Sequence, residues 1–159
     1  MSKKLNYNNL AQTTNFRCGS NTLNLSEVFM QTASIPGISF SHIHAGGRSG
    51  ATAKIQADSV EFNPLNVQLL MDDDFEVLKE ISGFIEKIIN PESGSFALVP
   101  MDFWIEAYDL KGNFLFKIEF QNAHIDSVDD IQLTTMDDAV VNTLSMTISY
   151  DYYNIIWKS

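Results

Sequence analysis

Apolar and polar residues alternate most strongly in two adjoining stretches of the second half of the chain. Every second residue is apolar in residues 102–108, and residues 114–121 repeat the same period of two. This period places successive side chains on opposite faces, which is typical of a β-strand with one buried face. The connecting segment contains Gly112, which suits a left-handed turn position. The two stretches therefore predict a long β-hairpin.

Weaker patterns of the same kind predict the remaining strands. Short apolar runs or period-two alternation occur in residues 28–38, 52–57, 65–71 and 144–152. Pro36 and Gly37 interrupt or end the first of these, because proline cannot donate to a strand ladder. Residues 124–138 are rich in Asp and predict a looser segment before the last strand.

One stretch has the spacing of an amphipathic helix. Asp73 is the predicted N-cap, and Glu76 three residues later would complete a capping box. Pro91 ends the helix, since the residue before a proline avoids the α region. The pattern predicts a helix over about residues 74–89, whose apolar stripe needs a sheet to cover: Val77, Ile81, Phe84, Ile85 and Ile88.

Together these elements predict a mainly β fold, an antiparallel β-barrel or sandwich with one packed helix and a long hairpin. Residues 1–14 are polar, with Leu5, Tyr7 and Leu10 as their spaced apolar residues. We expect them to form an N-terminal arm outside a single β domain at residues 15–159. Residues 45–50 are rich in glycine and predict a flexible loop.

Composition excludes several classes of protein. An apolar fraction of 45% with 11 Phe supplies a core and excludes intrinsic disorder. No apolar run approaches the roughly 18 residues that span a bilayer, and the first residues lack the apolar region of a secretory signal. Twenty acidic residues against 10 basic ones give a formal charge of −10, which is the wrong sign for gripping phosphates.

Few residue groups suggest chemistry. The acidic triplet at residues 72–74 could hold a divalent cation, but it lacks the spaced ligands and glycine of a calcium loop. His42 and His44 would share a face of a strand, but zinc needs at least a third ligand. His124 stands alone, and Cys18 is the single cysteine, so it has no disulfide partner in the chain. We therefore expect no catalytic residue, no metal site, no cofactor and no enzymatic activity.

Large apolar groups occupy both faces of the predicted hairpin. Trp104, Tyr108 and Leu115 lie opposite the main apolar series, to which Phe116 belongs. Two interpretations stay open: a two-layer fold that buries both faces, or a sheet completed by neighbouring subunits. The second interpretation makes these four residues candidates for a subunit interface.

The order of the segments resembles the tail-tube family of contractile-tailed, T4-like bacteriophages, including the related baseplate tube-initiator proteins. Residues 62–75 read FNPLNVQLLMDDDF, a strand with a PL-x-V core, an acidic cluster and the start of a helix, and residues 34–38 read SIPGI upstream. A hairpin, a turn and a closing strand follow in the family's order at residues 102–120, 126–134 and 143–153. The resemblance covers roughly residues 14–155.

The resemblance implies a structural virion protein of the phage tail, assembled in the host cytoplasm. Its homohexameric rings would stack into the inner tube of a contractile tail, through which phage DNA is ejected without sequence-specific binding. The expected partners are further copies of itself, the tail sheath, and baseplate or tail-terminator proteins, with no membrane insertion. An acidic wall would suit a channel along which DNA slides, and the lumen-facing candidates on the hairpin are Glu106, Glu119 and Lys117. The arm and the glycine-rich loop would act between subunits or rings.

Two alternatives stay open. Within the family, the chain could form a baseplate tube-initiator ring or a tail-completion ring, with one stacking face unlike the other. Outside the family, it could be a monomeric small-ligand-binding β-barrel with His42 and His44 near its mouth.

Overall fold

The computed structural model of the protein describes residues 15–46, 52–89, 100–131 and 142–159. Within these ranges the elements follow in the order β1 (Asn15–Ser20), β2 (Leu25–Ala33), β3 (Ile38–Gly46), β4 (Thr52–Phe62), β5 (Leu65–Leu70), α1 (Glu76–Ile89), β6 (Met101–Tyr108), β7 (Phe114–Val128), β8 (Thr143–Ser149) and β9 (Tyr152–Trp157). The predicted N-terminal arm and most of the predicted loop at residues 45–50 lie outside the described residues.

Six strands close into an antiparallel β-barrel. Their order is β6-β1-β2-β5-β8-β7, and β6 pairs back with β7 to complete the circuit. The 15-residue strand β7 has two partners on one side, because residues 116–121 pair with β9 while residues 124–128 pair with β8. The prediction of a mainly β fold with a long hairpin is confirmed, with a barrel as its architecture.

The alternating pattern of the sequence fills the barrel interior. In β6 every second residue from Met101 to Ala107 is buried, and the intervening residues are half-buried on the outside. The inward residues of β5 and β8 pack in the same interior as the buried residues of β6, and Leu65, Leu69 and Ile148 among them have essentially no exposed surface. Burial of these large side chains drives closure of the barrel.

Helix α1 packs on the barrel through the predicted apolar stripe. Val77, Ile81 and Phe84 are buried in the core cluster, and two further stripe residues pack against it half-buried. The helix has 14 residues, and no helix among the described residues has the length and apolar character needed to cross a membrane.

The start of the helix differs from the prediction. Its first residue is Glu76, and the carboxylate of Asp72 accepts the hydrogen bond from the Glu76 amide at 3.0 Å, so the prediction of Asp73 as N-cap is wrong. Phe75 takes a left-handed backbone conformation with φ of 55°, which separates the cap from the first helical turn. The predicted helix end at Pro91 lies outside the described residues.

The predicted interruption at Pro36 and Gly37 is confirmed: β2 ends at Ala33 and β3 begins at Ile38, because proline cannot continue the ladder. Two other predictions about the strands are wrong. The stretch expected to be loose from residue 124 continues β7 to Val128, where its pairing with β8 overrides its polar composition. The last predicted strand is divided into β8 and β9 by Tyr150 and Asp151.

Strands β3 and β4 form a separate two-stranded sheet beside the barrel. Hydrogen bonds hold the end of this sheet where β3 begins and β4 ends, and there the Asn63 amide donates to the Gly37 carbonyl at 3.0 Å. The Tyr150 hydroxyl donates to the Asn63 carbonyl at 2.7 Å, and the Tyr153 hydroxyl donates to the Pro36 carbonyl at 3.3 Å. The tyrosines at the break between β8 and β9 therefore attach the small sheet to the barrel.

Candidate assembly surface

A row of residues crosses the outer face of the sheet formed by β2, β1, β6, β7 and β9. Arg17 on β1 lies opposite Phe29 on β2 and Glu106 on β6. Lys117 on β7 lies opposite Glu106 and Ile156 on β9. Residues that face each other across paired strands point to the same side of the sheet, so the five side chains form one continuous row.

Arg17 ties three strands together at one end of this row. Its Nη1 lies 3.1 Å from Glu27 Oε2 on β2. Its guanidinium carbon lies 5.1 Å from the ring centre of Phe29 and 5.2 Å from that of Tyr108 on β6. These are cation–π distances, so the guanidinium carries an ion pair and two ring contacts in one half-buried position.

Tyr108 and Glu106 form a hydrogen-bonded pair on β6. The phenol hydroxyl donates to Glu106 Oε2 at 2.8 Å. The pKa of Tyr108 is raised above its ordinary value, mainly by this hydrogen bond to a carboxylate and to a smaller extent by partial burial. The phenol therefore stays neutral at physiological pH and presents an uncharged ring to its surroundings.

Lys117 has two neighbours on the same face. Its Nζ lies 3.0 Å from Glu119 Oε1 and 4.8 Å from the ring centre of Trp104. The indole of Trp104 covers Gly19 on β1 so closely that a Cβ at Gly19 would lie 2.5 Å from its Cζ2. Glycine is therefore required at this position to let the indole lie flat against the sheet.

We call the set of Arg17, Trp104, Glu106, Tyr108, Lys117 and Glu119 the cross-strand patch. It contains five of the seven residues predicted from the sequence as interface or lumen candidates, and it joins both kinds of candidate on a single face. Sequence reasoning missed Arg17, because only the pairing of β1 with β6 brings it to Glu106.

The other two predicted interface residues lie apart from this set. Leu115 is half-buried near the start of β7, where the register between β6 and β7 shifts, and its carbonyl accepts a hydrogen bond from the Lys158 amide at 3.0 Å. Phe116 points to the inner face, where it packs half-buried against the core and its ring lies 5.3 Å from that of Trp157. The predicted interface set is therefore divided between two faces of the sheet.

The chemistry of the cross-strand patch suits contact with another protein. Its cations lie beside carboxylates, so its charges are largely neutralised locally, and its aromatic rings are half-buried. Arg, Trp and Tyr are the residue types enriched at the centres of protein interfaces.

The small β3–β4 sheet provides a second candidate contact surface. Five large apolar side chains on it are at least 43% exposed: Ile38, Phe40, Ile43, Ile55 and Val60. Among the described residues, each of its two strands pairs only with the other. Exposed apolar groups on a strand pair with free edges mark a surface that a further chain can cover.

The other candidate groups are not assembled into a reactive centre. The described residues contain no cluster of three or more metal-ligating side chains. His42 and His44 lie on the separate β3–β4 sheet, and His124 Nδ1 lies 3.1 Å from the Asn122 carbonyl. Burial raises the pKa of the Cys18 thiol to about 12, which keeps it protonated and unreactive.

The barrel itself offers little space for a ligand. Core side chains fill the described part of its interior, among them Phe103, Ile118 and Leu144 at less than 2% exposure. An apolar cavity of about 230 Å³, lined by Phe16 and Phe116 among others, lies between β1, the end of β2, β6 and β7. Since pockets for small ligands usually enclose about 300–1,000 Å³ with convergent polar groups, this arrangement does not favour a ligand-binding barrel.

Comparison with known proteins gives a consistent answer at the level of fold. No protein-family model and no curated protein matches the sequence. Among solved structures, the chain is similar to one in the anti-feeding prophage (AFP) baseplate, with a TM-score of 0.65, 9% identity, and coverage of 99% of this chain and 98% of that chain. A chain of the AFP tube terminating cap matches with a TM-score of 0.65, 16% identity, and coverage of 98% and 97%.

A third similar chain comes from the PVC sheath-tube complex of an extracellular contractile injection system in its extended state. It matches with a TM-score of 0.63, 13% identity, and coverage of 96% of this chain and 95% of that chain. At such low identities the similarity shows the fold alone. The chain has the tail-tube type of fold that its resemblance to that family implies.

Proposed function

We propose that this protein is a structural subunit of the inner tube of a contractile tail. Six copies would form a ring, rings would stack into a hollow tube inside a sheath, and phage DNA would pass through the channel. Its partners are further copies of itself, the sheath, and the proteins that begin or end the tube. The role is mechanical and requires no catalytic residue.

One observation carries this proposal. The fold matches chains of the AFP baseplate, the AFP tube terminating cap and the PVC sheath-tube complex over at least 95% of both chains in each comparison. The cross-strand patch and the exposed β3–β4 sheet add two surfaces of the kind that repeated assembly uses.

Charge is consistent with an assembled channel. A formal charge of −10 per chain gives about −60 for a ring of six, which repels phosphate at short range. The same charge opposes assembly, so contact surfaces should be locally neutral. The pairing of Lys117 with Glu119 and of Arg17 with Glu27 favours the cross-strand patch as a contact surface.

The lumen role predicted for Glu106, Glu119 and Lys117 competes with this assignment, because all three lie in the cross-strand patch. Lys117→Glu separates the two roles. If the patch is a contact surface, the variant places a third acid beside Glu106 and Glu119, and the protein shifts from rings towards the 17.9-kDa subunit. If the patch lines the lumen, the rings persist, because water and ions screen the new charge.

The measurement is light-scattering mass after size exclusion. A ring of six has about 107 kDa, six times the subunit mass. Lys111→Glu, in the exposed turn between β6 and β7, is the matched control with the same change in charge. A monomeric wild-type protein at high concentration would overturn the proposed function itself.

A second candidate is a ring at one end of the tube. The AFP baseplate and cap chains match with TM-scores of 0.65, against 0.63 for the sheath-tube chain, so the fold fits either location. The two candidates differ in what the purified protein forms. A tube subunit yields stacks of variable length, whereas an end ring stops at one or two layers.

A further inference from the structure

A groove of about 600 Å³ lies between β2, the end of β5 and the first turns of α1. Its floor is apolar, because buried Leu25, Met71 and Val77 line it. Phe29 also lines the groove with 52% of its surface exposed, even though Arg17 lies over its ring. Together with the apolar floor, this ring forms a contiguous apolar surface that a further chain can cover.

The groove also carries net negative charge. Four acidic residues line it, Glu27, Asp72, Glu76 and Glu80, against the single cation Lys79 among the described lining residues. Arg17 pairs with Glu27, so the excess of negative charge lies at Asp72, Glu76 and Glu80. An occupant that complements the groove therefore combines cations with apolar side chains at short spacing.

The N-terminal segment of the chain has this composition. Residues 1–14 contain Lys3 and Lys4 and no acidic residue, although the whole chain carries 20 acids. Leu5 directly follows the two lysines, and Tyr7 and Leu10 provide two further apolar side chains. We propose that the groove binds residues 1–14 of a neighbouring copy of this chain.

The assignment of the segment to a neighbour rests on the proposed function. The segment joins β1 at Asn15, which pairs with Tyr108, and the groove extends to the other end of this six-residue strand, where Ser20 pairs with Leu25. Adjacent copies in a ring or in stacked rings, which is the arrangement in the proposed function, would bring the segment of one chain towards the groove of the next. Fourteen extended residues reach up to roughly 45 Å, which is longer than β1, so the mixing experiment below distinguishes a neighbour's groove from the chain's own.

Two full-length charge-reversal variants test the contact. The arm variant is Lys3→Glu with Lys4→Glu, and the groove variant is Glu76→Lys with Glu80→Lys. In each, arm and groove carry the same sign of charge, so we expect assembly to need at least about tenfold more protein than the wild type. Far-UV circular dichroism and thermal melting establish that the groove variant folds, and the arm variant leaves the helix sequence unchanged.

Mixing the two variants identifies the source of the segment. In an equimolar mixture the acidic arm of one variant meets the basic groove of the other, and the basic arm of the second meets the acidic groove of the first. Binding between copies therefore restores assembly towards the wild-type concentration dependence. Binding within one chain cannot be restored by mixing, so an unrestored mixture overturns the proposal.

Matched controls separate this inference from the proposed function. The variant Lys87→Glu with Lys111→Glu lowers the formal charge by four, as the arm variant does, at positions outside the groove, and it should assemble like the wild type. If the wild type forms rings and both reversal variants form them equally well, the groove contact is wrong while the ring proposal stands. If the wild type stays monomeric, both fail. Salt at about 1 M should remove the difference between wild type and variants, since it shortens the screening length to about 3 Å.

Discussion

Asp102 shows at the scale of one residue how the barrel connects distant parts of the chain. Its carboxylate accepts hydrogen bonds from the Thr22 amide at 2.8 Å and from the Asn21 amide at 3.2 Å, in the turn between β1 and β2. The side chains of both residues also donate to it. Burial alone would raise the pKa of Asp102, but these hydrogen bonds outweigh it and lower the pKa to about 2.

This cluster predicts a specific dependence of stability on pH. A carboxylate with a lowered pKa stabilises the fold above its ordinary pKa near 3.8, and the contribution disappears as the pH falls through about 2. Asp102→Asn should therefore be less stable than the wild type at neutral pH. The difference in unfolding free energy between the two proteins should shrink as the pH falls from about 4 to 2. Urea unfolding across this range measures the difference, with Glu86→Gln on the exposed side of α1 as control. A difference independent of pH would show that the charge of Asp102 contributes nothing.

Gly19 provides a second residue-scale prediction. A methyl group there would lie 2.5 Å from the indole of Trp104, so the ring must leave its position in the cross-strand patch. Gly19→Ala should lose about 1–3 kcal/mol of unfolding free energy and change the Trp fluorescence.

Gly83→Ala is the matched control for this substitution. Gly83 lies within α1 with nothing within 4 Å of an added Cβ, so the control should gain about 0.5–1 kcal/mol. Equal effects of the two substitutions would mean that Trp104 does not lie against Gly19.

At the scale of elements, the helix is a direct test of packing. The side chain of Phe84 is 6% exposed and belongs to the core cluster. Phe84→Ala should cost about 3–5 kcal/mol, because it removes buried apolar surface and leaves a cavity. Denaturant unfolding measures the loss, and Ile89→Ala, at a side chain 58% exposed, should cost less than about 1 kcal/mol. A similarly small loss at Phe84 would place the helix away from the barrel.

The elements also show what a sequence pattern can predict. The strands β5, β6 and the first half of β7 and the stripe of α1 follow from periodicity, because one face of each is buried on the core. The break at Tyr150 and Asp151 could not be predicted, since the alternation passes through it, whereas in the structure β7 changes partner there from β9 to β8. The candidate site was only partly predictable. Its hairpin residues follow from alternation, whereas Arg17, Gly19 and the Asp102 cluster depend on strand pairing between remote segments.

At the scale of the whole molecule, the fold combines a barrel with surfaces that it leaves uncovered. The barrel pairs its strands in a closed circuit, but the β3–β4 sheet keeps free edges and exposed apolar residues among the described parts of the chain. The cross-strand patch adds aromatic rings and paired charges on the outer face of the barrel. A subunit of this kind is suited to repeated association with its own copies.

Electron microscopy of the purified full-length protein tests this claim most directly. If the chain is a tube subunit, end-on views show rings with sixfold symmetry and a central channel, and side views show stacks of these rings. Particles with the size of a single 17.9-kDa chain at every concentration would contradict the account.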